Sequence, residues 1–325
     1  MKLLIFGGSG FVGSAVARKA VARGWSVTSV SRSGKAFATP AGHAPAWVSS
    51  VDWRQGSAFN PESYERLMED SDAVVTTLGA LFEQEYKEQG VASPLRVLKS
   101  VLENAAGSRG NPLQQGRGER SYERLNRDSA IPLFRSFAST RTACSSSASP
   151  SPSSNPFVYI SAEDIFRPFV PARYIQSKRQ AEEEISRIAA ELANGQGESA
   201  GLAGTRTRPV FVRPSLMYHP HLNPPSTLPA TLLEATSKLH ALVPPSLHLF
   251  PSTASSIPSS ALPPAAASFA SLLAIPPIHV DAVGDAVCKA IEDETVSGVV
   301  GVKEMRAMLG LGRPESWKDE PATQA

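Results

Sequence analysis

A chain that begins Leu3-Leu4-Ile5-Phe6 and passes at once into Gly7-Gly8-Ser9-Gly10-Phe11-Val12-Gly13 has few ways to fold. The apolar run reads as a buried strand. The glycines at 7, 10 and 13 turn it sharply into a helix, roughly Phe11 to Arg23, which Gly24 is placed to stop. Side chains at the glycine positions would keep a pyrophosphate away from the backbone, and the helix start offers unpaired N–H groups and the positive end of its dipole. Gly7, Ser9, Gly10, Phe11, Val12 and Gly13 are therefore the expected phosphate-binding residues of a dinucleotide site.

The next strand, Ser26 to Ser31, completes a β-α-β unit and bears on which dinucleotide is bound. An NAD site places an acidic residue about 20 residues beyond the glycines to hold the ribose 2′-hydroxyl, whereas a 2′-phosphate needs a cation. The strand ends Val30-Ser31-Arg32-Ser33-Gly34-Lys35, with no carboxylate, and Arg32 can pair a phosphate in bidentate fashion beside the Ser31 hydroxyl. NADP(H) is expected in preference to NAD(H).

Strands and helices alternate beyond this point, which predicts an α/β fold with a Rossmann-type, doubly wound parallel sheet and a small irregular C-terminal substrate or lid region. A third strand is expected over Trp47–Trp53, a helix from an Asn60 cap through Met68, and a fourth strand over Ala73–Thr77 leading to Leu78-Gly79 beside the cofactor. Helices are expected over Pro94–Ala106 and, kinked or split by Pro132, over Tyr122–Phe137. A serine-rich insertion at 138–155 reads as loop, and strands are expected over Phe157–Ile160, Pro209–Arg213 and Val299–Val302. The long helix Tyr174–Ala193 precedes a Gly-rich insertion, 194–205. The nucleotide-binding domain spans 1–218, a Pro/Ser-rich lid or substrate region with a helix near Pro229–Leu242 spans 219–276, a strand-helix return to the core spans 277–312, and 313–325 is a polar tail.

Tyr174 and Lys178 stand four apart on one helical face, where an ammonium would lower a phenol pKa from about 10 toward neutrality, as general acid/base work requires. Ser161 ends a parallel strand at the carboxyl edge of the sheet, where open α/β sheets bind ligands, and its hydroxyl is placed to orient a substrate carbonyl. His219 and His221 carry metal-ligand side chains, but no third ligand lies near them in sequence, so a loop role is expected and no metal.

In this order the glycine turn, the strand-end serine and the Tyr-x-x-x-Lys helix resemble the short-chain dehydrogenase/reductase superfamily. The resemblance implies catalytic roles for Ser161, Tyr174 and Lys178, with Lys178 also holding the nicotinamide ribose, and it adds Asn126, a helix asparagine, and Pro214, within the Arg213-Pro214 pair that ends strand six. Four phrases resemble more closely a fungal subgroup of atypical members linked to mitochondrial coenzyme Q biosynthesis and related to the nucleotide-binding accessory subunit of respiratory complex I. They are Phe6–Gly13, Val30–Lys35, Tyr159–Asp164 and Tyr174–Glu182. That likeness implies a mitochondrial oxidoreductase with a quinone-like small-molecule substrate, peripherally associated with an inner-membrane protein complex. A non-catalytic nucleotide-binding scaffold and a cytoplasmic location are the alternatives.

Composition narrows the rest. Lys plus Arg number 32 against 30 Asp plus Glu, with no basic run interleaved with aromatics, so nucleic acid is not an expected partner. The two cysteines, Cys144 and Cys288, form neither a disulfide framework nor a metal spacing, as in a reducing compartment. The apolar run at 3–6 is too short for a secretory signal, and Pro263, Pro264, Pro276 and Pro277 interrupt the longest apolar stretch, so no transmembrane span is expected.

Overall fold

In chain order the elements are β1 (Lys2–Phe6), α1 (Phe11–Ala22), β2 (Ser26–Ser31), β3 (Val51–Gln55), α2 (Glu65–Glu69), β4 (Ala73–Thr76), α3 (Ala130–Ser145), β5 (Asn155–Ile160), α4 (Ala172–Asn194), β6 (Thr207–Val212), β7 (Met217–Tyr218), β8 (Ile278–His279), α5 (Val280–Glu292), β9 (Gly298–Val300) and α6 (Val302–Met308). The computed structural model describes residues 1–79, 122–145, 154–164, 170, 172–194, 207–222 and 275–311. Seven strands form one parallel sheet in the order β3-β2-β1-β4-β5-β6-β9, the doubly wound arrangement expected.

Both faces of the sheet are apolar because both are covered. Leu3, Ile5, Val75 and Val158 point to one side and pack against Val16 and Ala20 of α1 and Val283 and Val287 of α5. Leu4, Phe6, Val74 and Phe157 point to the other, against Leu133, Phe134 and Phe137 of α3 and Ile185 of α4. Gly284 lets α5 approach α1 to backbone contact, since a Cβ there would lie 2.7 Å from the Ala15 carbonyl carbon. A separate parallel pair, β7 and β8, sets Met217 beside Ile278 and Tyr218 beside His279.

Several local expectations are corrected. The segment read as a strand from Trp47 begins with a 3-10 turn, Ala46–Ser50, before β3. The indoles hold that turn: Trp53 Nε1 donates to the Val48 carbonyl at 2.9 Å, and Trp47 stacks on Phe37. The helix expected from Asn60 is broken at Tyr64, whose ring is buried edge-on against Phe6. Asn60 makes no side-chain cap, and its carbonyl accepts from Ser63 Oγ instead.

The helix expected over Tyr122–Phe137 is a π-helical segment, Glu123–Asp128, followed after Ser129 by α3. The expected helix is thus split just before Pro132, which falls in the first turn of α3, where its missing N–H is not needed, and cannot donate back to the Asp128 carbonyl. The serine-rich stretch is not loop from residue 138, since α3 runs on to Ser145 with Phe134 and Phe137 packed against Phe157, and β5 begins at Asn155. Strand six starts two residues earlier than expected, and Val302 opens α6 rather than ending a strand. The helices expected near 94–106 and 229–242, most of the Gly-rich insertion, the lid region beyond 222 and the tail lie outside the described residues.

Candidate functional site

At the carboxyl end of β1 the backbone of Gly7 adopts φ +90°, and a Cβ there would meet Thr77 Oγ1 at 2.7 Å. Gly13 is required for a different reason: a Cβ would lie 2.2 Å from the Gly7 carbonyl oxygen, so only glycine lets α1 press on the turn. Gly10 caps α1 without any side-chain hydrogen bond, and the first bond across the turn is Ser14 N–H to the Gly10 carbonyl. The amides of Phe11, Val12 and Gly13 precede that bond and remain available, together with Ser9 in the turn, to an anion at the positive end of the helix.

The end of β2 lies beside this turn, since the Gly7 amide donates to the Val30 carbonyl at 2.9 Å. Ser31 Oγ accepts from the Gly34 amide, which bends the chain and leaves Arg32 exposed. The guanidinium of Arg32 has no carboxylate partner among the described residues.

The predicted Ser161, Lys178 and Asn126 converge where β4 and β5 end. Lys178 Nζ, 2 % exposed, donates to the Ile160 carbonyl at 2.8 Å and the Leu78 carbonyl at 3.2 Å, and lies 4.6 Å from the centre of the Tyr159 ring. Asn126 is fully buried, its Nδ2 donating to Ser177 Oγ and its carbonyl accepting from the Tyr159 hydroxyl. Its Oδ1 has no partner, and a Cβ on Gly79 would come within 2.9 Å of both that oxygen and Lys178 Nζ. The glycine lets the backbone pack directly against both groups, and an unsatisfied buried acceptor beside an amine fits a ligand that brings hydroxyl groups, such as a nicotinamide ribose. Pro214 follows β6, and its carbonyl accepts from the Glu163 amide at 2.9 Å.

Tyr174 departs from its expected electrostatics. Its ring centre lies 6.0 Å from Lys178 Nζ, and Tyr122 packs edge-on against it. Burial first, and Tyr122 second, push the phenol up to about 12 rather than toward neutrality. Burial likewise brings Lys178 down to about 7, which halves the charge expected to act on the phenol at neutral pH.

The sequence reading missed two residues. Arg179 donates to Ser161 Oγ at 3.2 Å and to the Ala162 carbonyl at 2.8 Å, and it pairs with Glu182 at 2.7 Å. Glu182, buried, also accepts from Arg213, so one carboxylate ties α4 to the ends of β5 and β6. The signal was a glutamate eight residues beyond Tyr174 on the same helical face, at a position too apolar for an unpaired charge. His219 is also not the isolated loop residue expected, because β7 and β8 bring His279 and Asp281 beside it.

Comparison with known proteins agrees with this geometry. The profile of a family described as NAD(P)H-binding matches residues 7–106. The Saccharomyces cerevisiae protein MIOREX complex component 2 is 35% identical over 223 residues, covering 68% of this chain and 74% of the yeast protein. A short-chain dehydrogenase/reductase family oxidoreductase from Burkholderia thailandensis shares the fold with a TM-score of 0.54 at 13% identity, over 96% of this chain and 98% of that one. The 3-oxoacyl-[acyl-carrier protein] reductase from Brucella melitensis, solved with NAD, gives 0.54 at 12% identity over 95% and 97%. The chain therefore belongs to the family of the yeast MIOREX complex component 2, with a match to the NAD(P)H-binding family over residues 7–106 and the fold of short-chain dehydrogenase/reductases.

Proposed function

We propose that the protein is an NADP(H)-dependent reductase of a carbonyl or quinone-like small molecule. The observation that carries this reading is the buried polar cluster at the ends of β4 and β5, where Lys178 Nζ and Asn126 Oδ1, an acceptor without a hydrogen-bond partner among the described residues, both pack against the bare backbone of Gly79. Gly7, Gly10 and Gly13 hold the pyrophosphate, Arg32 with Ser31 holds the 2′-phosphate, and Lys178 and Asn126 hold the nicotinamide ribose. NADP(H) supplies the hydride. Tyr174, held protonated by its burial, would give its proton to the substrate oxygen, and Ser161, its Oγ already accepting from Arg179, would donate its own hydrogen to that oxygen. A phenol kept protonated suits reduction better than oxidation.

The yeast relative's name supports an association with a protein complex, and the resemblance to the coenzyme Q subgroup supports a mitochondrial location and a quinone-like substrate. Among the described residues no helix is long and apolar enough to cross a membrane.

A second reading, a nucleotide-binding scaffold without turnover, is favoured by Arg179 occupying one side of Ser161. NADPH oxidation assayed against a panel of short-chain quinones and aromatic carbonyls separates the two. Turnover that Tyr174→Phe reduces at least a hundredfold supports the reductase, whereas NADPH binding without turnover of any of them supports the scaffold.

A further inference from the structure

Residues 217–222 and 278–281 are far apart in sequence, yet the β7–β8 pairing places their side chains together on the α1 and α5 side of the sheet. His219, His279 and Asp281 each present a ligand atom within 4.8 Å of the others, and the two imidazole rings lie 4.9 Å apart. All three side chains are half-buried. They adjoin a cavity of about 180 Å³ walled by Ser14, Ala15 and Arg18 of α1, by Phe37 and Trp47, and by His221.

We propose that His219, His279 and Asp281 form a binding site for a divalent transition-metal ion of the Zn(II) class. The tautomers are already suitable. His219 Nδ1 accepts the amides of His221 and Leu222, both at 3.1 Å, and His279 Nδ1 accepts the Asp281 amide at 3.2 Å, so both lone pairs are on Nδ1 and both ring protons on Nε2. Those are long bonds, two of them shared by one acceptor, and they are readily exchanged for coordination.

The carboxylate is also oriented. Arg18 pairs with Oδ1 of Asp281, which leaves Oδ2 facing His279 Nδ1 at 3.7 Å. That gap is too long for a hydrogen bond. It is close to the roughly 3.4 Å between ligands that bonds of about 2.1 Å give at a tetrahedral ion. Fixing one carboxylate oxygen through a neighbouring cation is how outer residues commonly orient a metal ligand.

Two imidazoles and one partly neutralised carboxylate select a borderline metal over Mg(II) or Ca(II), which need more oxygen ligands. The remaining coordination position faces the cavity, where His221 or water completes it. The bound ion fastens the turn after β7 to the start of α5.

The test is titration of the tag-free full-length protein with Zn(II) by calorimetry and with Co(II) by visible absorption, with Mg(II) as competitor. His279 caps α5 through its Nδ1, so the informative variant is His279→Asn, which keeps a capping acceptor while removing the imidazole. The proposal expects one equivalent of Zn(II), a Co(II) spectrum of low coordination number, no displacement by excess Mg(II), and at least tenfold weaker binding in His279→Asn and in His219→Ala. Wild-type binding no tighter than that of the double variant overturns the site, as does stoichiometric binding that both single variants leave unchanged.

Discussion

Three side chains carry most of what is testable at the scale of single residues. Arg32 is exposed at the end of β2 with no carboxylate partner among the described residues, so Arg32→Ala is expected to weaken NADPH binding about tenfold to a hundredfold while leaving NADH binding within about twofold. Paired fluorescence titrations check this, and equal losses for both nucleotides would count against a 2′-phosphate role. At Gly13 a Cβ would lie 2.2 Å from the Gly7 carbonyl oxygen. Gly13→Ala is expected to cost about 1–3 kcal/mol in denaturant unfolding and to abolish nucleotide binding. Lys178 has the clearest pH signature, because its folded-state value of about 7 lies below the ordinary 10.5. Between those values the unfolded chain binds the extra proton, so native stability rises with pH, by at most about 1.4 kcal/mol per pH unit. The stability of the wild type relative to Lys178→Met is therefore expected to increase from pH 7 to pH 9, and a difference that stays flat would show that the amine is not desolvated.

At the scale of elements, α3 is the instructive case. Phe137 is fully buried against Phe157 on β5, so Phe137→Ala is expected to cost about 3–5 kcal/mol, measured by urea unfolding, whereas in an unpacked serine-rich segment it would cost little. The composition of 138–155 suggested loop because serine is a weak helix former, but a helix anchored by Phe134 and Phe137 carries the following residues with it. The same competition explains Tyr64 and the Trp47–Trp53 turn, where long-range aromatic contacts outweighed local caps and alternation. Elements whose signals are local were legible: β1, the glycine turn, α1 and its Gly24 stop, and β2 all lie where their residues put them. Of the site, Ser161, Lys178 and Asn126 lie together near the ends of β4 and β5. The buried Glu182 left a sequence signal, but its partner Arg213 and the His219–His279–Asp281 cluster could not be read, because each depends on strand pairings between distant segments.

For the molecule as a whole, the order β3-β2-β1-β4-β5-β6-β9 reverses direction between β1 and β4, the point at which open parallel sheets bind dinucleotides. The glycine turn lies on one side of that reversal, and Leu78-Gly79 with Lys178 on the other, so a single extended cofactor would span both. A ligand that binds only the folded state raises its stability, by about 2.7 kcal/mol at a hundredfold excess over Kd. The central claim is that this crevice holds NADPH. It is tested most directly by titrating the purified protein with NADPH and NADH and following nucleotide fluorescence and thermal unfolding together, with Arg32→Ala and Tyr174→Phe alongside. Saturable NADPH binding that raises the melting temperature, exceeds NADH binding, weakens in Arg32→Ala and persists in Tyr174→Phe is the predicted result. Failure of either nucleotide to bind or to stabilise the wild type would contradict the account.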